Sequence, residues 1–372
     1  MITLWAAFLA IGTTFNSSVE APIEVKFEKV DAAVVVKIQL DGEERRVALS
    51  ALLPTSYLAA AGEGKADVAL GGKTIARVQR TASRSEYYPR VDGVLGIDVL
   101  KDMAIGVDVT DSRITIWPKG TIGDDEAKAW AARYPAWERA AGKVAVVQAQ
   151  RDGAALTVPI GTRSQRALLE LEFNGTALGA GWFADEAVAV RTTDRLLTSE
   201  LRLGGRDLPW ISFLRGTDPM WSVYPSASEA TVTLEAFRSR RVLIDFSAGR
   251  VYHEELPADA LLTFVLTEWF GVPYNVKGDT LWIESMPGVP WPSLGEFSGS
   301  EVLELAEVKT PELLQLLRSR RREDRTRVAD ILGSRIGHEA WIRMPDGREF
   351  MMKPQTGRSG GSGSKALSRR RR

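Results

Sequence analysis

Cysteine is absent from the 372-residue chain. That removes disulfides, thiol catalysis and thiolate-held zinc or iron–sulfur sites together. Histidine occurs only at His253 and His338, which excludes a metal site built from several imidazoles. Long apolar runs are also missing. The run at the start, Leu4 to Ile11, spans eight residues, whereas a membrane-crossing helix needs about 20. What is present is globular composition, with 44% hydrophobic and 26% charged residues, so neither wholesale disorder nor a polytopic membrane protein fits. The 33 glycines and 17 prolines suit turns and short strands, and the length predicts two or three domains. No motif implies a cofactor.

The formal charge is zero, with 48 basic and 48 acidic residues, yet it is segregated. Residues 357–372 hold Arg358, Lys365 and Arg369 to Arg372 and no acid, leaving 42 basic against 48 acidic residues elsewhere. Such a body repels nucleic acid, while the Arg369–Arg372 tail suits an acidic surface. Its Ser-Gly-Gly-Ser-Gly-Ser stretch reads as a flexible appendage. At the other end, the apolar run is followed by polar residues and by Val19-Glu20-Ala21, in the pattern of a secretory signal peptide. Export to the periplasm or outside the cell is the expectation. A buried first strand is the alternative.

The chain repeats itself. Val35 to Gly42 (VVKIQLDG) aligns with Leu168 to Gly175 (LLELEFNG) at an offset of 133 residues, and both segments alternate and end in a hairpin dipeptide. The same offset pairs Leu70-Gly71-Gly72-Lys73 with Leu203-Gly204-Gly205-Arg206. Further on, an offset of 137 sets Asp98 against Glu235, Asp108 against Asp245 and Arg113 against Arg250. Two β-rich units with one short helical turn each are predicted, joined by an Ala-rich helical connector interrupted at Pro135. Two independent tandem β domains would give the same spacing.

The segment Val91 to Leu100 (VDGVLGIDVL), with Ile105 to Asp108 and Arg113 to Ile116 after it, resembles the closing half of a retropepsin-like aspartic peptidase lobe. The second copy keeps that frame through Leu234, Phe237, Ile244 to Phe246 and Gly249 to Val251, with Thr233 at the glycine position. The resemblance covers Pro22 to His253. It implies a mainly β, bilobal pepsin-like fold, a pair of β-barrel lobes with a cleft between them. Such peptidases take one carboxylate from each lobe, in an Asp-Thr-Gly or Asp-Ser-Gly turn, and the pair shares a proton. Here the first turn reads Ser50-Ala51-Leu52, and the offset of 133 puts Phe183-Ala184-Asp185 at the second. Neither tripeptide occurs in the chain, and a serine hydroxyl cannot replace the acid as a base. Ser50 and Phe183 are therefore vestigial positions and no catalytic residue is assigned, with Asp185 the fallback acid and Asp92 and Asp98 weaker ones.

Other catalytic patterns fail on context. Gly71-Gly72-Lys73-Thr74 imitates a phosphate loop but reads as a hairpin turn, and Gly357 to Gly361 matches a nucleophile elbow by letters alone. His253 is expected as an exposed strand end. Trp182, Trp210 and Trp221 could line a cleft.

From Ala258 the pattern changes to a small α+β unit. It contains a strand at Thr280 to Ile283, a helix opened by Thr310 as N-cap with Pro311 in its first turn, and a strand pair around Pro345-Asp346-Gly347. This order resembles a bacterial protease-associated PDZ-like domain. Trp269, Phe270, Gly271 and Val272 then correspond to the peptide-binding loop and Gly299-Ser300 to its Gly-Asp turn. A PDZ domain takes a peptide as an added strand while loop amides hold its terminal carboxylate. The alternative makes Phe270 and Val272 plain core. The expected division is a signal peptide at 1–21, lobes at 22–120 and 144–256, a connector at 121–143, the PDZ-like domain at 257–355 and the basic tail at 356–372. The function expected is peptide or protein binding by an exported, catalytically inactive aspartic-peptidase-like protein. An active endopeptidase with non-standard acids and a structural envelope protein are the alternatives.

Overall fold

The computed structural model describes residues 21–60, 62, 64–82, 88–118, 122–132, 144–150, 155–160, 163–173, 177–178, 190–191, 195–198, 201–203, 206–208, 211–215, 230–254, 257–270, 272–284, 297–319, 321–333, 340–352 and 367–369. The fold is mainly β. The first lobe runs β1 (Ile23–Val30), β2 (Ala33–Leu40), β3 (Glu43–Leu49), β4 (Tyr57–Ala59), β5 (Lys65–Leu70), β6 (Lys73–Thr81), β7 (Gly93–Leu95), α1 (Ile97–Leu100), β8 (Ala104–Asp108) and β9 (Arg113–Trp117). After the connector helix α2 (Asp124–Ala131), the second lobe runs β10 (Val144–Gln150), β11 (Ala155–Ile160), β12 (Arg163–Glu170), β13 (Ala177–Leu178), β14 (Val190–Arg191), β15 (Arg195–Thr198), β16 (Leu201–Leu203), β17 (Arg206–Leu208), β18 (Ile211–Arg215) and β19 (Ala230–Thr233). A 3-10 turn (Leu234–Phe237), β20 (Arg241–Asp245) and β21 (Arg250–Glu254) complete it.

Strand pairing makes the duplication explicit. In the first lobe β2 pairs with β1 and β3, β3 runs parallel to β7, and β7 is antiparallel to β4. In the second, β11 pairs with β10 and β12, β12 runs parallel to β19, and β19 is antiparallel to β13. The closing strands β8–β9 and β20–β21 match in the same way. The two halves join edge to edge where β8 pairs antiparallel with β20. Among the described residues, β1 to β21 belong to one closed system.

Register fixes the equivalences and corrects one of them. The parallel pairs Leu49–Leu95 and Leu169–Val232 equate Leu49 with Leu169 and Leu95 with Val232. The offset of 137 thus holds for the closing half. The Gly-Gly hairpin also keeps its offset, since Leu70–Lys73 and Leu203–Arg206 are matching pairs. At the first hairpin, however, VVKIQLDG belongs to β2, whose partner by topology is β11 rather than the strand that holds Leu168. Alternation has a period of two and cannot tell one strand of a hairpin from the next.

Why these residues fold this way is visible at the closing turns. Asp108 Oδ1 accepts from the amides of Thr110 and Asp111 at 3.0 and 3.1 Å, and Asp245 Oδ1 from Ala248 at 2.8 Å. Each aspartate satisfies amides that the turn would leave unpaired. The apolar faces of β1–β3, β5, β8, β9, β20 and β21 meet in one core that includes Val34, Leu49, Ile105, Leu169, Phe237 and Ile244. α2 lies over Gly106, where a Cβ would come within 2.5 Å of the Trp130 ring.

The remaining helices are α3 (Ala258–Phe270), α4 (Thr310–Arg318) and α5 (Arg322–Gly333). They accompany a three-stranded sheet of β22 (Tyr274–Lys277), β23 (Thr280–Ile283) and β24 (Glu301–Val302). A five-stranded sheet orders β26 (Val308–Lys309), β25 (Glu304–Leu305), β27 (Ala340–Arg343), β28 (Glu349–Met352) and β29 (Leu367–Arg369). Thr310 is the first helical residue rather than the cap, and its hydroxyl donates to Val302 O at 2.5 Å. Within the tail expected to be a free appendage, Leu367–Arg369 pairs with β28. No helix among the described residues is long and apolar enough to cross a membrane. The leader at 1–20, Pro135, His338, Trp182, Trp210 and Trp221 lie outside the described residues.

Candidate functional site

β3 and β12 end at equivalent places, one residue before and one residue at the turn that the resemblance identifies. Ser50 follows Leu49, and Glu170 follows Leu169. Because Leu49 and Leu169 are equivalent by register, the counterpart of Ser50 is Glu170, not Phe183. Phe183 and Asp185 lie outside the described residues.

The two counterparts touch. Ser50 Oγ donates to Glu170 Oε2 at 2.9 Å. The amides of Ala51 and Leu52 donate to Glu170 Oε1 and Oε2 at 3.1 and 3.0 Å, and the amide of Leu171 to Oε1 at 2.7 Å. Both carboxylate oxygens of Glu170 are therefore filled, three of the four donors coming from the first lobe. Ser50 is 0% exposed and Glu170 1%, so water has no open approach to either head group.

A second acid lies two residues on. Glu172 is buried, and Tyr88, also buried, donates its hydroxyl to Glu172 Oε1 at 2.9 Å. Backbone contacts hold the same segment against the first lobe, with Phe173 N donating to Ala32 O at 2.9 Å and Glu172 bridging Ala33. Burial, and after it the charge of Glu172, pushes Glu170 up to about 8, against the pull of the Leu171, Ser50 and Ala51 donors. Burial and the two carboxylates push the Tyr88 phenol well above its ordinary range, so it stays a neutral donor.

The other acids singled out in the sequence are structural. Asp98 in α1 accepts from the Ser56 amide and hydroxyl at 2.9 and 2.6 Å, and the Ser56 hydroxyl accepts from Gly96 N at 2.7 Å. Asp92 accepts from Arg46 N at 3.0 Å. His253 is not an exposed strand end. It is 0% exposed within β21, against the Phe237 ring at 5.3 Å, because the pleat turns it inward. Beside it Arg241 reaches Asp108 across the joint between the lobes at 2.6 Å and Glu254 of its own lobe at 3.6 Å. Gly71 and Gly72 form the β5–β6 turn, with φ of +56° and +79°.

In the C-terminal part, Phe270 is the last residue of α3 and is buried with Val272 in a core that includes Val265, Leu281 and Leu313. The Phe270 ring meets the Tyr274 ring of β22 edge to face at 6.5 Å. Gly271 lies outside the described residues, and of Trp269 only the backbone is described. Gly299, at φ +75°, makes the turn before β24. Arg318 bridges Asp259 and Asp279 at 2.8 and 2.9 Å, so the start of the charge run is an internal tie. No cluster that could hold a metal occurs among the described residues.

Sequence reasoning missed Glu170 because the repeat was aligned one strand out of step. A signal was present all the same. Leu168 to Phe173 (LLELEF) sets two acids among apolar residues, and acids in such a run are rarely buried unless paired. No family model matches the chain, and no curated protein does. Among solved structures it is similar to the crystal structure of an aspartic proteinase from Irpex lacteus, at 11% identity over 63% of this chain and 98% of that chain, with a TM-score of 0.42. A likeness of that degree carries no argument, and the two-lobed β topology stands on its own strand pairing.

Proposed function

We propose that this is an exported, catalytically inactive aspartic-peptidase-like protein that binds extended peptide or protein segments in the cleft between its lobes or beside its C-terminal unit. One observation carries the reading. The two equivalent turn positions hold Ser50 and Glu170, and the single carboxylate is consumed by Ser50 Oγ and three amides. Peptide hydrolysis by paired acids needs one carboxylate to take a proton from water while the other protonates the carbonyl. A serine supplies neither the negative charge nor the exchangeable acid. The Ser50–Glu170 contact instead spends both groups on joining the lobes.

The C-terminal unit supports a PDZ-like reading by its order of elements and by the Gly299 turn before β24. Since Phe270 and Val272 are buried, a peptide there would not be held by those two side chains. The second reading is an active endopeptidase, and Glu172 favours it, because its charge raises Glu170 as a paired acid would. Incubating the full chain with an unfolded protein from pH 3 to pH 7 separates the two. No cleavage is expected, and hydrolysis blocked by a statine-containing inhibitor would overturn inactivity. A peptide-library screen is expected to return binders of extended sequence. An empty screen would favour a purely structural envelope role.

A further inference from the structure

Peptide binding leaves unused the most unusual feature of the joint, two neighbouring acids buried where the lobes meet. We propose that Glu170 and Glu172 form a one-proton latch, which holds the second lobe against the first while the pair keeps its proton and weakens that hold when the proton leaves. This goes beyond the peptide-binding reading and does not rest on it.

The geometry is that of a latch. The 170–173 segment belongs to the second lobe, yet its bonds run to the first: Ser50 Oγ, Ala51 N and Leu52 N to Glu170, Tyr88 Oη to Glu172, and Phe173 N to Ala32 O. Among the described residues, groups that face the pair include Ser50 from the segment after β3, Tyr88 from the segment before β7, and Thr233 beside Glu170 on β19. Lys29 of β1 lies with Nζ 4.9 Å from the Phe173 ring centre, at the end of the same segment. With one proton on the pair, the buried site carries a single negative charge that four donors to Glu170 can stabilise. With none, it carries two charges in a place shielded from water, and repulsion between them opposes closure.

The sign follows from burial. Burial beside a second acid raises the proton affinity of the pair, to about 8 against an ordinary 4.5 when reckoned at Glu170, so the folded state binds one proton more tightly than the unfolded one. The stability linked to it is complete below about 4.5 and is lost as pH rises toward 8. Within that window each pH unit lowers the folding equilibrium constant by about tenfold. Tyr88 stays protonated throughout and remains a donor.

Urea unfolding of the full chain at pH 5, 6, 7, 8 and 9 tests this, with E172Q and S50A alongside. The folding constant is expected to fall by about 50-fold between pH 6 and pH 8 in the unaltered chain. In E172Q, which keeps an acceptor for Tyr88 but loses one charge, the fall should shrink to less than about tenfold. S50A should be weaker, with the loss reaching to higher pH, because the hydroxyl it removes favours the charged form of Glu170. A flat profile in the unaltered chain, or E172Q falling in parallel with it, overturns the latch. Amide exchange needs no variant. Protection of Ala51 and Leu52, corrected for the intrinsic rise with pH, should drop between pH 6 and pH 9 by at least as much as that of Ile105 and Val107, which follows global unfolding. Equal protection at both pH values would also overturn it.

Discussion

At the end of β3 the first lobe presents Ser50, and at the equivalent place the second presents Glu170. Around them the two lobes share their pairing scheme, from β1–β2 against β10–β11 to β8–β9 against β20–β21. The contrast separates what a backbone keeps from what a side chain keeps. A ladder of amides and carbonyls survives almost any replacement that leaves the alternation intact. An acid pair does not survive losing one member. Two other positions differ for packing reasons. Gly96, where a Cβ would come within 2.5 Å of Leu53 O, faces Thr233 in the repeat, and Gly106 under Trp130 faces Leu243. The first lobe thus accepts the closer approaches, and the connector helix sits on one side of an otherwise twofold arrangement.

The sharpest way to break this contrast is to take away the acid. Glu170→Ala leaves Ala51 N, Leu52 N and Ser50 Oγ facing no acceptor in a dry site, and should cost about 4 kcal/mol in urea unfolding at pH 6. Arg241→Ala is next, since it removes the cation shared by Asp108 and Glu254, and should cost about 3 kcal/mol by the same measurement. Giving the first lobe the bulk of the second by Gly106→Val forces Trp130 off its seat, for about 2 kcal/mol and a shift in tryptophan fluorescence. Ser50→Ala removes one hydrogen bond and should cost about 1 kcal/mol. If Ser50→Ala costs as much as Glu170→Ala, the two sides of the contact are equal partners and the contrast drawn here fails.

The smallest effect belongs to Asp124. The Tyr252 hydroxyl at 2.6 Å, with Arg250 beside it, holds this carboxyl below its ordinary value. Its contribution is present above 3.8 and is lost as pH falls below that value. Asp124→Asn should flatten the acid limb of a melting-temperature profile and leave the neutral range almost unchanged, as expected for an exposed pair.

How much of this was legible depended on whether a position carries its own local chemistry. Asp108 and Asp245 could be matched from sequence because each must satisfy the amides of its turn. Gly71-Gly72 and Gly204-Gly205 could be matched because the first of these turns needs positive φ. β2 and β12 could not be told apart, because alternation is common to every half-buried strand and Asn174-Gly175 imitates the Asp41-Gly42 turn. That slip hid Glu170, and with it the acid that the site does contain. His253 was misjudged for a related reason. A polar residue near a strand end looks exposed in sequence, whereas in the fold the pleat turns His253 inward against Phe237.

The β8–β20 ladder has a further consequence. Its register centres on Gly106 opposite Leu243, two residues that are each other's counterparts, and Val109 N to Arg240 O is mirrored by Phe246 N to Met103 O. An antiparallel pair centred on its own equivalents is the geometry of an isologous contact between identical subunits. Within one chain the joint thus has the twofold symmetry of such a seam, with each half offering the other the same strand edge.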